Sequence, residues 1–354
     1  MLWMRALHAV MALTGVLLMA LAGAYTYFNP FGAPPHVLVN VARAHTKLPV
    51  VDPLDPTRPL ELREAPARGT TLLGAPPGSD SAWVSTRPLA ALREERKPSE
   101  RGGVDTCDTP DPGRGDYLPG RMSSGCLVIM PHEPTAPDGS FDLVLHFHGH
   151  ELASKEFLRA KSRFVFVGTT SKRYSDRLGG ANGLDSLVKL AEDAVSERAG
   201  KTAHARHVAL FAWSGGYEAI LVLLEQSVRL PDAVVLLDGL HGSRTPAYLA
   251  TQLAPIVGYA RRAVNNEVFM YVSHSSIDTD GFASSTEGVH FLVHALGGRP
   301  LQVEREDPLG MRLVELFSSG SFHARGYAGG GKSDHCAHLT LYPMVLQLLE
   351  KRWH

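Results

Sequence analysis

A serine lies between an apolar run and two glycines near the middle of the chain. Residues 208–213 read Val-Ala-Leu-Phe-Ala-Trp, and Ser214 is followed by Gly215 and Gly216. A serine hydroxyl attacks a carbonyl carbon when a base takes its proton, and the base works best when a carboxylate orients it. The stretch therefore points to nucleophilic catalysis, and the rest of the chain must supply a histidine and an acid.

Two histidines near the C-terminus are candidates for the base. His335 and His338 follow the three glycines at 329–331, which can form a flexible loop leading into a helix. We prefer His335 because it lies nearer this loop, and we keep His338 as the alternative base, although it is expected to cap or pack the closing helix. His290 and His294 are one helical turn apart and are expected on a helix surface.

The acid has two candidates, each at the end of a predicted strand. Asp238 ends the apolar run at 233–238, so its carboxylate should project from the carboxyl edge of a sheet and requires a partner there. Asp278 and Asp280 lie in the polar loop after the next predicted strand, at 267–273. We expect Asp238 to be the acid and keep Asp278 as the alternative.

The segments that must position these residues alternate between strands and helices. Further apolar runs predict strands at 126–130, 142–148, 163–168 and 316–323, and helical spacing predicts helices at 184–195, 217–224 and 339–349. Strands separated by helices imply an α/β fold with a mostly parallel sheet and helices on both faces. Ligands bind at the carboxyl ends of the strands in such sheets.

The turn around Ser214 resembles the nucleophile elbow of the α/β-hydrolase superfamily. In that G-x-S-x-G pattern the positions two before and two after the serine are small because the turn is tight, and here they are Ala212 and Gly216. The resemblance runs from about Cys126 to the C-terminus and includes the chain order serine, acid, histidine. It implies one hydrolase domain, which we place at 104–354.

The resemblance also implies roles for individual residues. The nucleophile, base and acid would be Ser214, His335 and Asp238. The oxyanion hole would combine the N–H of Gly215 with that of Gly149 or His150, because His148-Gly149-His150 resembles the His-Gly oxyanion segment of the family. The implied activity is hydrolysis of small-molecule or polymer esters through an acyl-enzyme, with hydrolysis of amides or peptides as the alternative, and with no cofactor and no metal.

Two other functions compete with this interpretation. His146, His148 and His150 alternate along a strand and, with Asp238 and His241, could ligate zinc in a metal-dependent hydrolase. This arrangement resembles the His-x-His opening of amidohydrolase barrels, which usually need a longer chain, and it leaves the serine turn unexplained. The third possibility is a binding module on a hydrolase scaffold, because fold does not fix function.

The composition limits the partners of the chain. Its 354 residues are 44% hydrophobic, which is enough for a sizeable core. The 35 basic and 36 acidic residues give a net charge of −1, which argues against a nucleic-acid partner.

The N-terminal residues predict export. Arg5 precedes an apolar run at 9–24 that ends in Ala-Gly-Ala, the small-x-small pattern of a signal-peptidase site. With residues 25–28 the run approaches the about 20 residues that span a bilayer, so a signal anchor that tethers the protein to a membrane is the alternative to a cleaved signal peptide at 1–24. Both place the catalytic domain outside the cytoplasm, as a periplasmic, secreted or membrane-anchored protein.

A Pro-rich stretch separates this segment from the hydrolase domain. Prolines interrupt every periodicity in residues 25–103, which predicts a largely irregular linker. In an exported protein Cys107 and Cys126 could close a local disulfide loop, leaving Cys336 unpaired.

Overall fold

A computed structural model describes most of the chain from residue 111 to its end. The described residues are 50–52, 54–62, 107, 111–122, 125–171, 174, 178–180, 182–306 and 310–354. The predicted signal segment at 1–24 and most of the predicted linker at 25–103 lie outside them.

One mixed sheet runs through the described residues. Its strands are β1 (Val50–Asp52), β2 (Asp55–Leu62), β3 (Tyr117–Arg121), β4 (Leu127–Pro131), β5 (Ser140–Phe147), β6 (Val165–Thr169), β7 (His204–Trp213), β8 (Ala233–Leu237), β9 (Phe269–His274), β10 (Leu301–Glu306), β11 (Arg312–Ser319) and β12 (Phe322–Tyr327). Their order is β1-β2-β10-β11-β12-β9-β8-β7-β5-β6-β4-β3. The central run from β12 to β6 is parallel, and the strands on either side of it pair antiparallel.

Helices cover both faces of this sheet. They are α1 (His150–Ala160), α2 (Gly183–Ala199), α3 (Tyr217–Gln226), α4 (Pro246–Val264), α5 (Ser285–Ala295), α6 (Lys332–Ala337) and α7 (Tyr342–Trp353). Helices α2 to α5 pack on one face, while α1, α6 and α7 pack on the other. The predicted α/β fold with helices on both faces is confirmed in the described residues. The prediction of a mostly parallel sheet holds only for the six central strands, because the strands that flank them pair antiparallel.

The central strands are buried on both faces, which explains their continuous apolar sequences. In β7, Val208 and Leu210 belong to the core under α2 to α5. Ala209 and Phe211 point to the opposite core, under α1 and α7. Successive side chains of a strand point to opposite faces of the sheet. Because both faces are covered here, every position is buried and the sequence is apolar throughout.

The predicted single strand at 316–323 is wrong. The structure forms a hairpin there, with β11 and β12 turning at Gly320. A side chain at Gly320 would place its Cβ 2.1 Å from the backbone oxygen of Val264, and its φ of 55° suits glycine. The turn between the two strands is so short that the apolar residues on either side of it look like one continuous strand in the sequence.

Residues 50–62 also differ from the irregular linker predicted for 25–103. They form the β1–β2 hairpin, in which β1 is the edge strand of the sheet and β2 pairs with both β1 and β10. Within the described part of the chain, no helix combines the length and apolar character that crossing a bilayer requires.

The predicted Cys107–Cys126 disulfide is wrong. Cys107 is bonded to Cys336, with the two Cα atoms 5.5 Å apart across a sequence separation of 229 residues. Cys126 is buried in the core under α2 to α5, whereas Cys107 and Cys336 pack in the core on the other face. The sheet therefore lies between Cys126 and the two bonded cysteines. The spacing of the cysteines in the sequence does not reveal this separation.

Candidate active site

Three neighbouring strands are each followed directly by a residue with a left-handed backbone conformation. His148, Ser214 and Asp238 directly follow β5, β7 and β8, and their φ angles are 68°, 54° and 45°. The pairing of β5 with β7 and of β7 with β8 brings the three positions to one edge of the sheet. Positive φ costs a non-glycine residue about 1–3 kcal/mol, and such strain clusters at functional sites.

The turn at Ser214 leaves no space for a side chain at Gly216 or Gly239. Residues Ser214–Gly216 form a 3-10 turn that leads into α3. A Cβ on Gly216 would lie 2.2 Å from the backbone oxygen of Phe147 and 3.1 Å from the Cβ of Ala212. A Cβ on Gly239 would lie 2.4 Å from the backbone oxygen of Ser214. Small residues at these positions let the turn pack against the ends of β5 and β8.

Asp238 is held by three hydrogen bonds. Its Oδ2 lies 2.7 Å from Nδ1 of His335, and its Oδ1 accepts from the Ser275 N–H at 2.8 Å and from the Ser285 hydroxyl. Burial alone would raise the pKa of this carboxyl, but the imidazoles of His338 and His335 and the Ser285 hydroxyl lower it well below its usual range. Asp238 is therefore an ionised, buried acceptor.

The charge of Asp238 fixes the tautomer of His335. An ionised carboxylate only accepts hydrogen bonds, so Nδ1 of His335 carries a proton, and in the neutral imidazole Nε2 is then the nitrogen with the lone pair. The His335 side chain is 21% exposed, whereas that of Asp238 is 2% exposed. The imidazole is therefore held through Nδ1 by a buried carboxylate, while its Nε2 can act as a base.

Ser214 lies beside this pair without bonding to it. Among the described residues, no hydrogen bond joins the Ser214 hydroxyl to His335. Catalytic hydrogen bonds are often long in ligand-free enzymes and tighten when substrate binds. The structure thus brings Asp238 and His335 together and puts Ser214 at the end of the strand next to Asp238.

The alternative acid and base occupy other surroundings. Asp278 is exposed and forms an ion pair with Arg244 at 3.2 Å. His338 is buried, and its Nδ1 lies 2.8 Å from the Ser273 hydroxyl. Asp238 and His335 share a 2.7 Å hydrogen bond, so they form the better placed pair.

Two helical N-termini meet beside Ser214. Gly149 precedes α1 with a φ of 63°, and no side chain caps this helix or the 3-10 turn at Ser214–Gly216. A Cβ on Gly149 would lie 2.6 Å from the indole ring of Trp213, so α1 starts directly against the end of β7. The first N–H groups of a helix have no intrahelical acceptor, and the helix dipole favours negative charge there. The N–H groups of Gly149, His150 and Gly215 belong to these two termini.

The proposed zinc cluster of His146, His148 and His150 does not form. In the hydrogen bonds of buried His146, Nε2 donates to the His148 carbonyl at 2.8 Å and Nδ1 accepts from the Tyr342 hydroxyl at 3.2 Å. Burial lowers the pKa of His146 to about 3. Nδ1 of His150 lies 2.8 Å from the Thr170 hydroxyl. The alternation fails because β5 ends at residue 147 and His148 turns the chain.

Sequence reasoning missed several residues around the site. Ser275 and Ser285, which hold Asp238, lie in a polar loop where serines are common, and no local pattern distinguishes them. His290 was expected on a helix surface, but its Nε2 lies 2.6 Å from a buried Glu315 carboxylate oxygen. The partner is 25 residues away on another element, so helical spacing alone had suggested a solvent-facing position.

Comparison with known proteins gives no close relative. No protein-family profile matches the chain, and no curated protein matches it. Among similar solved structures, carboxyl esterase 2 from the mycorrhizal fungus Tuber melanosporum is 11% identical with a TM-score of 0.38, and the match covers 68% of this chain and 88% of the esterase. An esterase from Pyrococcus furiosus is 10% identical with a TM-score of 0.33, and the match covers 70% of this chain and 91% of that one. The acylaminoacyl peptidase from Pyrococcus horikoshii is 12% identical with a TM-score of 0.39, and the match covers 66% of this chain and 42% of that one. These values are too low to transfer an activity.

The fold can be named from the structure of the chain itself. From β4 onward, a mostly parallel sheet with helices on both faces carries a serine on a tight turn between a central strand and a helix. Asp238 follows the next strand, and His335 lies in a late helix after a glycine-rich loop. This arrangement is the α/β-hydrolase fold, as the sequence resemblance predicted.

Proposed function

We propose that this protein is a serine hydrolase that cleaves carboxylic esters through an acyl-enzyme. The observation that carries the proposal is the 2.7 Å hydrogen bond between His335 and Asp238, beside the turn that presents Ser214. An imidazole oriented by a buried carboxylate is the group that a serine needs in order to become a nucleophile.

The first half-reaction uses the free edge of His335. The Ser214 Oγ attacks the ester carbonyl carbon while Nε2 of His335 takes the hydroxyl proton. The resulting imidazolium is stabilised by ionised Asp238 across their hydrogen bond. The negative carbonyl oxygen accepts hydrogen bonds from the N–H of Gly215 and from Gly149 or His150, whose helical termini favour negative charge.

The first half-reaction ends when the imidazolium gives its proton to the leaving oxygen, so the alcohol departs and the acyl group stays on Ser214. In the second half-reaction a water molecule attacks the acyl carbon while His335 takes one of its protons, which forms a second tetrahedral intermediate. Collapse of this second intermediate returns the proton to Ser214 and releases the carboxylic acid.

Hydrolysis of p-nitrophenyl acetate and p-nitrophenyl butyrate tests this function. The matched variants are Ser214→Ala and Ser186→Ala, because Ser186 is an exposed serine on α2, away from the strand ends. We expect the first variant to lose at least about a thousandfold in kcat and the second to match wild type. Equal activity of Ser214→Ala and wild type would refute the serine mechanism. A wild-type protein that binds esters without turning them over would favour the binding-module alternative.

We also propose that the protein is exported. Two observations support export: the signal-like segment at 1–24, and the Cys107–Cys336 disulfide, because stable disulfides form mainly in oxidising compartments. Expression of the full chain in a bacterium, with fractionation and N-terminal sequencing, tests this. A periplasmic protein that starts at Tyr25 or keeps its first residues distinguishes a cleaved signal from an anchor. A cytosolic protein with reduced Cys107 and Cys336 would contradict export.

A further inference from the structure

A cluster of two histidines and a glutamate lies outside the proposed catalytic machinery. His274 ends β9, His290 lies on α5 and Glu315 lies on β11. One potential ligand atom from each side chain lies within 4.8 Å of the other two. The side chains of His274 and Glu315 are 5% and 3% exposed, and that of His290 is 28% exposed. His274 and Glu315 are thus buried, and the partly exposed His290 leaves a route from solvent.

Gly326 on β12 creates the space for this cluster. It pairs with His274 on β9 and with Glu315 on β11, so both side chains flank the same position of the strand between them. A Cβ on Gly326 would lie 2.5 Å from Nε2 and Cε1 of His274 and 3.0 Å from the Cβ of Glu315. The missing side chain lets the imidazole and the carboxylate meet across the strand.

The hydrogen bonds of Thr286 fix the tautomer of His274. The Thr286 hydroxyl donates its one proton to the carbonyl of Ser275, so it must accept from Nδ1 of His274, which lies 3.0 Å away. With the proton on Nδ1, the lone pair of Nε2 in the neutral imidazole faces Oε2 of Glu315, 3.6 Å away. In this tautomer neither atom can donate a hydrogen bond to the other, so a cation placed between them could be bound by both.

We propose that His274, His290 and Glu315 bind one divalent transition-metal ion of the Zn²⁺ class. Two imidazole nitrogens and one carboxylate are a known Zn²⁺ ligand set, which a water molecule completes. At metal–ligand distances of about 2.1 Å, the edges of a tetrahedron are about 3.4 Å. The His274–Glu315 distance of 3.6 Å is close to this value, while the His290–Glu315 distance of 2.6 Å must open by about 0.8 Å, with His290 exchanging its hydrogen bond to Glu315 for the ion.

Outer groups orient two of the three ligands. The Gln302 amide donates to Oε1 of Glu315 at 2.8 Å, on the carboxylate oxygen that does not face the histidines. Thr286 orients His274 in the same way through Nδ1. Such contacts are typical of metal ligands, whose orientation is set by a second layer of hydrogen bonds. Hard cations such as Mg²⁺ and Ca²⁺ prefer oxygen ligands and fit this set less well.

The site is connected to the acid of the proposed active site. His274 contacts Thr286, which bonds to the carbonyl of Ser275, and the N–H of Ser275 bonds to Asp238. The bound ion would thus immobilise His274 and Thr286, which lie at the two ends of the loop between β9 and α5. Its role is structural, and its binding does not depend on whether Ser214 is a nucleophile.

Titration of metal-free, purified protein with Zn²⁺ and with Co²⁺ tests the site. Isothermal calorimetry should show one equivalent of Zn²⁺ bound, Co²⁺ should give visible absorption bands, and Zn²⁺ should raise Tm. The variants His290→Gln and His294→Gln are matched, since they lie one turn apart on α5. The first should weaken Zn²⁺ binding at least about tenfold and the second should not. Glu315→Gln should act like His290→Gln, and Ser214→Ala should bind like wild type.

Circular dichroism on each variant separates loss of a ligand from loss of the fold. A folded wild-type protein that binds no stoichiometric Zn²⁺ would overturn the proposal. Equal affinities of wild type, His290→Gln and Glu315→Gln would also overturn it, because the ion would then be bound elsewhere. Failure of esterase activity with intact Zn²⁺ binding would affect only the proposed function.

Discussion

Trp213 lies against His335, with the ring centroids 4.6 Å apart and the ring planes 28° from parallel. The indole N–H of Trp213 also donates to the backbone carbonyl of His335 at 3.1 Å. Trp213 ends β7 and immediately precedes Ser214. One side chain therefore ties the turn of the proposed nucleophile to the helix that carries the proposed base.

Replacing Trp213 with phenylalanine should keep an aromatic contact and remove the hydrogen bond to His335. A neutral hydrogen bond contributes about 0.5–1.5 kcal/mol, so we expect kcat/KM to fall by about 2- to 13-fold. Trp353→Phe is the matched control, because Trp353 stacks on His207 at the other end of β7, with centroids 4.6 Å apart. Ester hydrolysis by both variants is the measurement, and an equal loss in both would count against the positioning role.

Asp238→Asn should retain the shape of the side chain but replace a charged hydrogen-bond acceptor with a neutral amide. The amide cannot stabilise an imidazolium and favours the wrong tautomer of His335, so kcat should fall by about 10³- to 10⁴-fold. Asp278→Asn is the control, since Asp278 forms an exposed ion pair with Arg244, and it should retain wild-type kcat. If the Asp278 variant were the inactive one, the assignment of the acid would be wrong.

Gly216→Ala should destabilise the turn after Ser214. The added methyl group would lie 2.2 Å from the backbone oxygen of Phe147, so backbone must move. We expect the free energy of unfolding to fall by about 1–3 kcal/mol. The methyl group added by Gly258→Ala on α4 would have no atom within 4 Å, so this variant should raise the free energy of unfolding by about 0.5–1 kcal/mol. Urea unfolding of both variants measures this difference, and equal values would contradict the packing argument.

His146 should make the protein less stable in mild acid. Its pKa is lowered by burial to about 3 in the folded protein, against about 6.5 in the unfolded chain. Its contribution is fully present above pH 6.5 and is lost as the pH falls from 6.5 toward 3, because only the unfolded chain binds the proton. The expected loss approaches about 1.4 kcal/mol per pH unit.

His146→Gln isolates this contribution. Glutamine can still donate to the His148 carbonyl but does not titrate, so its free energy of unfolding should fall less steeply between pH 6 and pH 4. Urea unfolding at several pH values compares the two slopes. Parallel slopes for wild type and variant would show that His146 is not the group responsible.

Removing the disulfide should lower stability and loosen the helix that carries His335. Cys107→Ser opens a loop closed over a sequence separation of 229 residues, and loss of a native disulfide typically costs about 2–5 kcal/mol. We expect a lower Tm and faster thermal loss of ester hydrolysis, since Cys336 directly follows His335. Reductant should lower the Tm of wild type to that of the variant and leave the variant unchanged. A reductant-insensitive wild type would contradict this account.

Local patterns predicted the elements, because their causes are local. The unbroken apolar run before Ser214 follows from burial of β7 on both faces, and the small residues at 212 and 216 follow from the tight turn. The position of Asp238 at a strand end was predicted for the same reason. Its catalytic role, like those of Ser214 and His335, stays a prediction.

Contacts across the sheet could not be predicted, because strand order differs from chain order. Cys107 meets Cys336 because both lie on the face of the sheet opposite Cys126. Glu315 meets His290 because β11 and β12 fold back beside β9. No spacing in the sequence encodes such meetings.

The site of covalent labelling by a fluorophosphonate, mapped by peptide mass spectrometry, tests the serine mechanism most directly. We expect one adduct per chain, on Ser214, which is absent in Ser214→Ala and forms much more slowly in His335→Ala. An adduct on another residue, or equal labelling of folded wild type and His335→Ala, would contradict the claim that His335 activates Ser214.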